Sequence, residues 1–325
     1  MDLFGNIKLC KMSKKKLLHI SLGSHNTGMW RAFDKAFDTV HFDWTPYKTN
    51  NFTLNQKVLE LFRNFKPDIV FMQIQEGGII NRDTAFEMTK SSVTLNWTGD
   101  CRYPIPHWYY ELGQHIDMTL FSNMFDVEMF NKVGVNAGFL QVGFDEKIFT
   151  PKGSKEEHPQ VVFLGSNYLT VSDFPLSNLR VQMVKALSEK YKENFKVFGY
   201  NWDELGFGNT WVDQYKEAEL YRSADISINL SHFDYGRYSS DRMLRLMGSG
   251  GFCLSHNYKD IELDYKIGEH IDVWSSVDEL ISKIDFYLKN EKEREEIREK
   301  GCDFVRENYT WDNVMIELKK LVGYE

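Results

Sequence analysis

"ADISINLSHFDYGRYSSDRMLRLMGSGGFCLSH", residues 224–256, holds one complete unit of α/β architecture. The apolar run 224–232 reads as a strand, and "GFCLSH" (251–256) reads as a second. Between them Ser239, Ser240 and Asp241 are helix-start residues, because their side-chain oxygens satisfy open backbone N–H groups. Met243, Leu244, Leu246 and Met247 supply the apolar face, and Gly248-Ser249-Gly250-Gly251 ends the helix. Strand, helix, strand in this order implies parallel pairing. Arg242 is the anomaly. It sits in the first turn, where a cation opposes the helix dipole. An anion at the helix start, held by free N–H groups and the guanidinium, would account for it, and a diphosphate is the natural candidate. The structural alternative pairs Arg242 with Asp241 or another carboxylate.

The same alternation runs outward in both directions. "KLLHISLGS" (16–24), "TVHFDW" (39–44), "PDIVFMQIQ" (67–75), "SSVTLNWTGD" (91–100), "IDMTLFSN" (116–123) and "AGFLQVGFD" (137–145) read as strands, with helical patterns between most of them. "TPKGSKEEHP" (150–159) breaks the pattern with Pro, Gly and charge and reads as a linker. Strands then resume at "QVVFLGSN" (160–167), "FKVFGYNW" (195–202) and "HIDVWSS" (270–276). Residues 277–308 read as two helices and 310–324 as one more. The expected fold class is α/β: two tandem, doubly wound Rossmann-like domains facing a cleft, with ligands beyond the carboxyl ends of the strands. The expected divisions are a loose extension at 1–14, a first domain at 15–150, a second at 151–308, and a closing helix at 309–325.

Composition narrows the function classes. The chain has 325 residues, 42% of them hydrophobic, enough for a sizeable core in each domain. Thirty-nine Lys and Arg against 47 Asp and Glu give a net charge of −8, which argues against bulk nucleic-acid binding. The four cysteines, Cys10, Cys101, Cys253 and Cys302, are scattered without zinc spacing. They read as thiols of a reducing compartment, and a cytoplasmic location is expected. No apolar run reaches the roughly 18 residues of a membrane span. There is no Asp-x-Asp beside a strand, no G-x-S-x-G elbow and no P-loop, which removes the simple serine hydrolase and P-loop NTPase readings.

Polar strand ends supply the remaining candidates. "FLGSN" places Gly165, Ser166 and Asn167 after a strand and before a helix carrying Arg180, which could reach an anion. The alternative is a connecting turn and a surface arginine. Tyr200, Asn201 and Trp202 end the next strand and suit stacking on a nucleobase, or else Trp202 plugs the core. His232, Tyr238 and Ser240 lie in the loop leading to Arg242, and Gly250 and Gly251 follow its helix. In the first half, Gly23, Ser24 and His25 follow the first strand, and Asp100, Arg102 and His107 follow the fourth. Asp100 or His107 facing a cleft could act as a base or hold an acceptor hydroxyl, with turn-forming roles as the alternative.

These residues carry a resemblance. "FLGSN…NLR", "KVFGYNW", "ADISINLSH", "YSSDRMLRLMGSGGFCLSH" and "NYTWDNVM", together with "LNWTGDCR" and "LQVGFDEKIFTP", are similar to the spore maturation protein-like glycosyltransferases of the GT-B fold. The resemblance runs from about residue 16 to the end of the chain and implies metal-independent transfer from a nucleotide-sugar, a UDP-sugar first, with no cofactor. It implies donor binding by the second domain through Gly165, Ser166, Asn167, Arg180, Tyr200, Asn201, Trp202, His232, Tyr238, Ser240, Arg242, Gly250 and Gly251. Arg242 and Arg180 would neutralise the diphosphate leaving group. Acceptor binding falls to Gly23, Ser24, His25, Asp100 and Arg102, with Asp100, His107 and Arg242 as the catalytic set. The resemblance also implies that the last helix returns to the first domain and that the anomeric configuration is retained. One departure stands out: relatives often carry a ribose-binding glutamate where this chain has Arg245. The expected acceptor is a glycan, protein or small molecule. Transfer to a modified DNA base, and a non-catalytic nucleotide-sugar or glycan binding module, are the competing readings.

Overall fold

The computed structural model describes residues 14–23, 27–154, 159–168, 174–208 and 210–324. Its first lobe runs β1 (Lys16–Ser21), α1 (Thr27–Ala36), β2 (Asp38–Asp43), α2 (Asn51–Phe65), β3 (Ile69–Met72), α3 (Arg82–Thr89), β4 (Val93–Thr98), α4 (His107–Gly113), β5 (Met118–Phe121), α5 (Met124–Lys132) and β6 (Ala137–Phe139). The second runs β7 (Val161–Leu164), α6 (Ser177–Tyr191), β8 (Phe195–Phe198), α7 (Gln214–Ser223), β9 (Ile226–Asn229), α8 (Asp241–Gly248), β10 (Cys253–His256), β11 (Asp272–Trp274), α9 (Val277–Lys289) and α10 (Glu291–Asn308). A last helix, α11 (Trp311–Leu321), follows.

Both sheets are parallel, in the orders β2-β1-β3-β4-β5-β6 and β11-β10-β9-β7-β8. The strands are short because each is buried on both faces, and they read as continuous apolar runs such as Ile69–Met72 and Val161–Leu164. Each order reverses once, between β1 and β3 and between β7 and β9. Loops leaving adjacent strands at these points go to opposite faces and open a crevice at the carboxyl edge.

A single apolar cluster bridges the lobes, from Phe71 and Trp97 through Phe144 to Tyr221, Leu244 and Trp311. The chain crosses twice, side by side: Phe144 pairs with Thr310, and the Phe144 N–H donates to the Tyr309 carbonyl at 3.2 Å. Thr310 caps α11, which then packs on α1. Glycines permit this closeness. A Cβ on Gly28 or Gly143 would lie 2.9 or 2.7 Å from Trp311. At the opposite rim of the cleft the Met124 N–H donates to the Gly236 carbonyl at 2.8 Å, and Phe125 stacks on Tyr235 at 4.2 Å.

Gly248 closes α8 against the Phe144 ring, which a Cβ there would overlap. Alanine is the better helix former by about 1 kcal/mol, so Gly248→Ala should stabilise an isolated helix. In this protein the overlap decides the sign, and a net loss of about 1–3 kcal/mol is expected. Urea unfolding measures it; a midpoint at or above the parent's would overturn this packing argument.

Candidate active site

The second lobe's crevice is built around a buried arginine. Arg180, in the first turn of α6, is 1% exposed. Its guanidinium donates to the Ser166 carbonyl at 2.9 Å and to the Leu230 carbonyl, and lies over the Phe163 ring. It therefore ties the loop after β7 to the loop after β9, across the reversal in strand order. Its Nε has no partner, and its recorded bonds go to carbonyls, with no carboxylate among them. Burial first, then the charge of Arg242, push its pKa well down. A guanidinium does not give up its proton in a protein. The lobe thus carries an uncompensated buried cation, which is costly unless an anion joins it.

Arg242 and His232 face the same point. Arg242 reaches the Leu230 carbonyl at 3.5 Å and makes no ion pair among the described residues. The Nδ1 of His232 meets the Ser177 hydroxyl at 3.3 Å, while its Nε2 has no partner. Burial, then Arg180, then Arg242 lower the His232 pKa to about 2, so the ring is neutral at pH 7. The neutral ring keeps one N–H, and its buried Nε2 is the nitrogen left without a protein partner among the described residues. Two guanidiniums and a neutral imidazole lie close enough to shift one another's protonation.

The helix-start expectation needs correction. Ser240 is the cap, accepting from the Met243 N–H, and the Arg242 N–H donates to its neighbour Asp241 at 2.7 Å. The Arg242 and Met243 N–H groups of α8 are already used, so an anion at this helix start would have to be met largely by side chains. Arg245, one turn on, takes the ion pairs: 2.7 Å to Asp241 and 3.6 Å to the buried Glu217 of α7.

Several donor-side expectations change. Trp202 is fully buried and donates to the Gly165 carbonyl at 2.7 Å, so it is a core plug and offers no face to a base. Asn167 and Asn201 bond each other's carbonyls at 3.0 Å, zipping the loops after β7 and β8. Ser166 accepts from the Tyr200 N–H at 3.1 Å in the same zipper. Tyr200 keeps its ring 49% exposed. Trp211, which the sequence did not single out, is 62% exposed and follows Thr210, whose backbone pairs with Gly199. Its signal was faint, a lone tryptophan in a loop. Tyr238 is buried among Cys101 and Phe233 at the contact between lobes. Gly250 and Gly251 sit at the far end of α8 from Arg242. Gly250 has φ +75 and a Cβ on it would meet Pro151, while one on Gly251 would meet the Tyr221 carbonyl at 3.0 Å. They terminate a helix at the amino edge of the sheet and touch no cleft.

On the first lobe, Asp100 leaves β4 with its side chain open to water yet walled by protein on most sides. Burial and the charge of Asp241 raise its pKa, against the pull of Arg102. For Asp241 burial also pushes upward, but Arg245, Arg242 and a backbone N–H outweigh it and the net shift is down. The two carboxylates are thus shifted in opposite directions. Arg102 is held by the Tyr109 hydroxyl at 3.2 Å and by Gln75. Gly23 has φ +73 and donates to Asp43 at 3.0 Å. Ser24 and His25 lie outside the described residues. His107 does not join the site: its side chain is 83% exposed and pairs with Glu111 at 3.2 Å on its own helix. Between the lobes a cavity of about 80 Å³ is lined by Gly28, Gly143, Asp145, Gln214, Asp241 and Arg245.

Among the described residues no group of three or more His, Cys, Asp or Glu is arranged to hold a metal ion, and no helix is long and apolar enough to cross a membrane. Two parallel-sheet α/β lobes facing one cleft are the GT-B fold of glycosyltransferases. Residues 180–320 match the family model described as glycosyl transferase-like. Sucrose-phosphate synthase from Thermosynechococcus elongatus aligns with 95% of this chain and 98% of its own, at TM-score 0.65 and 10% identity. A glycosyltransferase from Rickettsia africae gives the same coverage and TM-score at 12% identity. HepE of Anabaena in complex with UDP-glucose aligns with 95% of this chain and 99% of its own, at TM-score 0.62 and 9% identity. At these identities the likeness concerns the fold. No curated protein matches the chain in sequence.

The depressed His232 pKa has a sign that can be tested. The unfolded ring takes up its proton below about pH 6.5, whereas the folded ring does so only near pH 2. This contribution to stability is complete above pH 6.5 and is lost as pH falls through that value. His19 of β1, held to about 3 by burial and His41, acts in the same direction. In His232→Asn the decline of the urea midpoint between pH 7 and pH 5 should be shallower than in the parent. Equal slopes would show that His232 is not held neutral.

Proposed function

We propose that the protein is a glycosyltransferase that moves a sugar from a nucleoside diphosphate donor, a UDP-sugar first, to an acceptor hydroxyl, with no metal taking part. The observation that carries this reading is the convergence of Arg180, Arg242 and His232, without a carboxylate partner, at the reversal point of the second sheet. The match over 180–320 includes all three residues and supports it. HepE, of the same fold, is seen with UDP-glucose, which supports the donor class.

In the proposed reaction the bond between the anomeric carbon and the β-phosphate oxygen breaks and negative charge gathers on the diphosphate. The two guanidiniums, with the His232 ring beside them, meet that charge. Tyr200 and Trp211 are the exposed rings beside the crevice that can flank a base. Asp241 and Glu217, gathered by Arg245, supply carboxylates for ribose hydroxyls where relatives use a glutamate. The acceptor lies on the first lobe against Asp100 and Arg102. We keep retention as the stereochemical course: the acceptor oxygen bonds to the anomeric carbon, and its proton passes to the departing phosphate oxygen on the same face. Asp100 then orients the acceptor through a neighbouring hydroxyl. The narrower kinship with the spore maturation group belongs to the same proposal, as does a cytoplasmic location, which three buried, unbridged cysteines suit.

A thermal-shift screen against UDP-, GDP-, CMP-, ADP- and TDP-sugars, with and without EDTA, tests the reading. A ligand at 100 times its Kd adds about 2.7 kcal/mol of stability. A shift that survives EDTA is expected for one nucleotide, and no shift with any would overturn the donor assignment. Arg242→Ala should lower turnover by about 10²–10³ while leaving the urea midpoint near the parent's. Proton NMR of the anomeric centre of the product decides between retention and inversion.

A further inference from the structure

Behind the acceptor edge of the first lobe lies a second, separate cavity of about 460 Å³. Its floor is apolar and formed by the buried side chains of Ile74, Ile79, Ile80, Ala85 and Leu112. Trp108 makes one wall, packed so closely on Gly77 that a Cβ there would lie 3.0 Å from the indole. The rim is polar, with Glu76, Asn81, Arg82, Glu111, Gln114 and His115.

Two periodicities aim these residues. On α4 and its continuation, Trp108, Glu111, Leu112 and His115 follow the i, i+3, i+4, i+7 spacing of one helix face. Tyr109, on another face of that helix, meets Arg102 of the cleft. In the stretch after β3, Ile74 and Glu76 line the cavity while Gln75 between them holds Arg102. The cavity and the acceptor site therefore share the turn of chain at 74–76 and the helix α4.

The chemistry of the lining selects a ligand class. The volume is within the range of small-molecule sites, about 300–1,000 Å³. Amides, carboxylates and a guanidinium above an apolar floor suit a molecule with hydroxyls around its edge and C–H groups on its face. The charges are also nearly balanced. Glu76 and Glu111 stand against Arg82 and against Lys48, which lies 3.7 Å from Glu76. Such a rim carries little net charge with which to select an ionised ligand. We propose that this cavity is a subsite for a neutral saccharide, holding the non-reacting sugars of an oligosaccharide acceptor whose reacting end lies by Asp100 and Arg102. The proposal deepens the transferase reading and names its acceptor class.

Hydrogen exchange of the full chain, with maltotriose, cellotriose, chitotriose and octyl maltoside as probes, tests it. Slower exchange in 74–82 and 107–115 with at least one trisaccharide is expected. Glu111→Ala and Gln114→Ala, both on exposed rim positions, should weaken that protection about tenfold, the scale of one lost polar contact of about 1.4 kcal/mol. In transfer assays the same variants should raise KM for the trisaccharide and leave kcat and the KM for the nucleotide-sugar at parent values, a split that general damage to the fold would not produce. If nucleotide-sugars bind and are turned over but no trisaccharide protects these segments, the subsite is overturned and the transferase reading stands. Protection by octyl maltoside alone would assign the cavity to an apolar aglycone and also overturn it. Trisaccharide protection without binding of any nucleotide-sugar would support the saccharide site and overturn the transferase reading.

Discussion

A buried guanidinium bonded only to main-chain carbonyls is an expensive feature, and the second lobe is organised around one. Arg180 draws the Ser166 and Leu230 carbonyls together, so parting the loops after β7 and β9 breaks two charge-assisted hydrogen bonds. Those loops carry the other polar groups of the crevice, His232 through the second and the Asn167–Asn201 zipper through the first. The same bonds that hold the backbone leave the positive charge unanswered. Fold stability bears the cost of that charge, and under the proposed function an anionic donor would offset it.

The cleft also depends on how the two lobes are joined. Trp311 lies on Gly28 and Gly143, and Phe144 on Gly248, so each crossing of the chain is packed at glycine clearance. Arg306 adds main-chain contacts to Phe149 and Gly248 at 3.0 and 3.2 Å. This close packing brings Asp241 of one lobe near enough to raise the pKa of Asp100 on the other. The split between those carboxylates is a property of the joined molecule, since neither lobe has it alone.

Strand and helix positions were legible because parallel strands buried on both faces are short apolar runs, and the helices between them carry caps and apolar faces. Ser240 before α8, Asn123 before α5 and Ser276 before α9 each accept a backbone N–H as such residues do. The arginines were legible for different reasons: Arg242 because a cation in the first turn of a helix needs an explanation, and Arg180 because its helix follows the Gly165-Ser166-Asn167 strand end. Ring orientation was not legible. Tyr200 and Trp202 stand two residues apart, yet one is half exposed and the other lies in the core. Gly250 and Gly251, which the resemblance placed at the donor, serve as a helix end at the amino edge of the sheet.

The amino-acid sequence by itself determined the alternation of elements, the parallel character of both sheets and the edge at which ligands gather, because these follow from local periodicity and capping. It did not determine which side chains meet. Arg245 finds Asp241 and Glu217, His107 turns outward to Glu111, and Trp202 goes inward to Gly165. Those outcomes depend on packing between segments tens of residues apart in the chain. A carboxylate or ring has several partners that satisfy it equally well by type, and only the tertiary structure decides which one lies within reach.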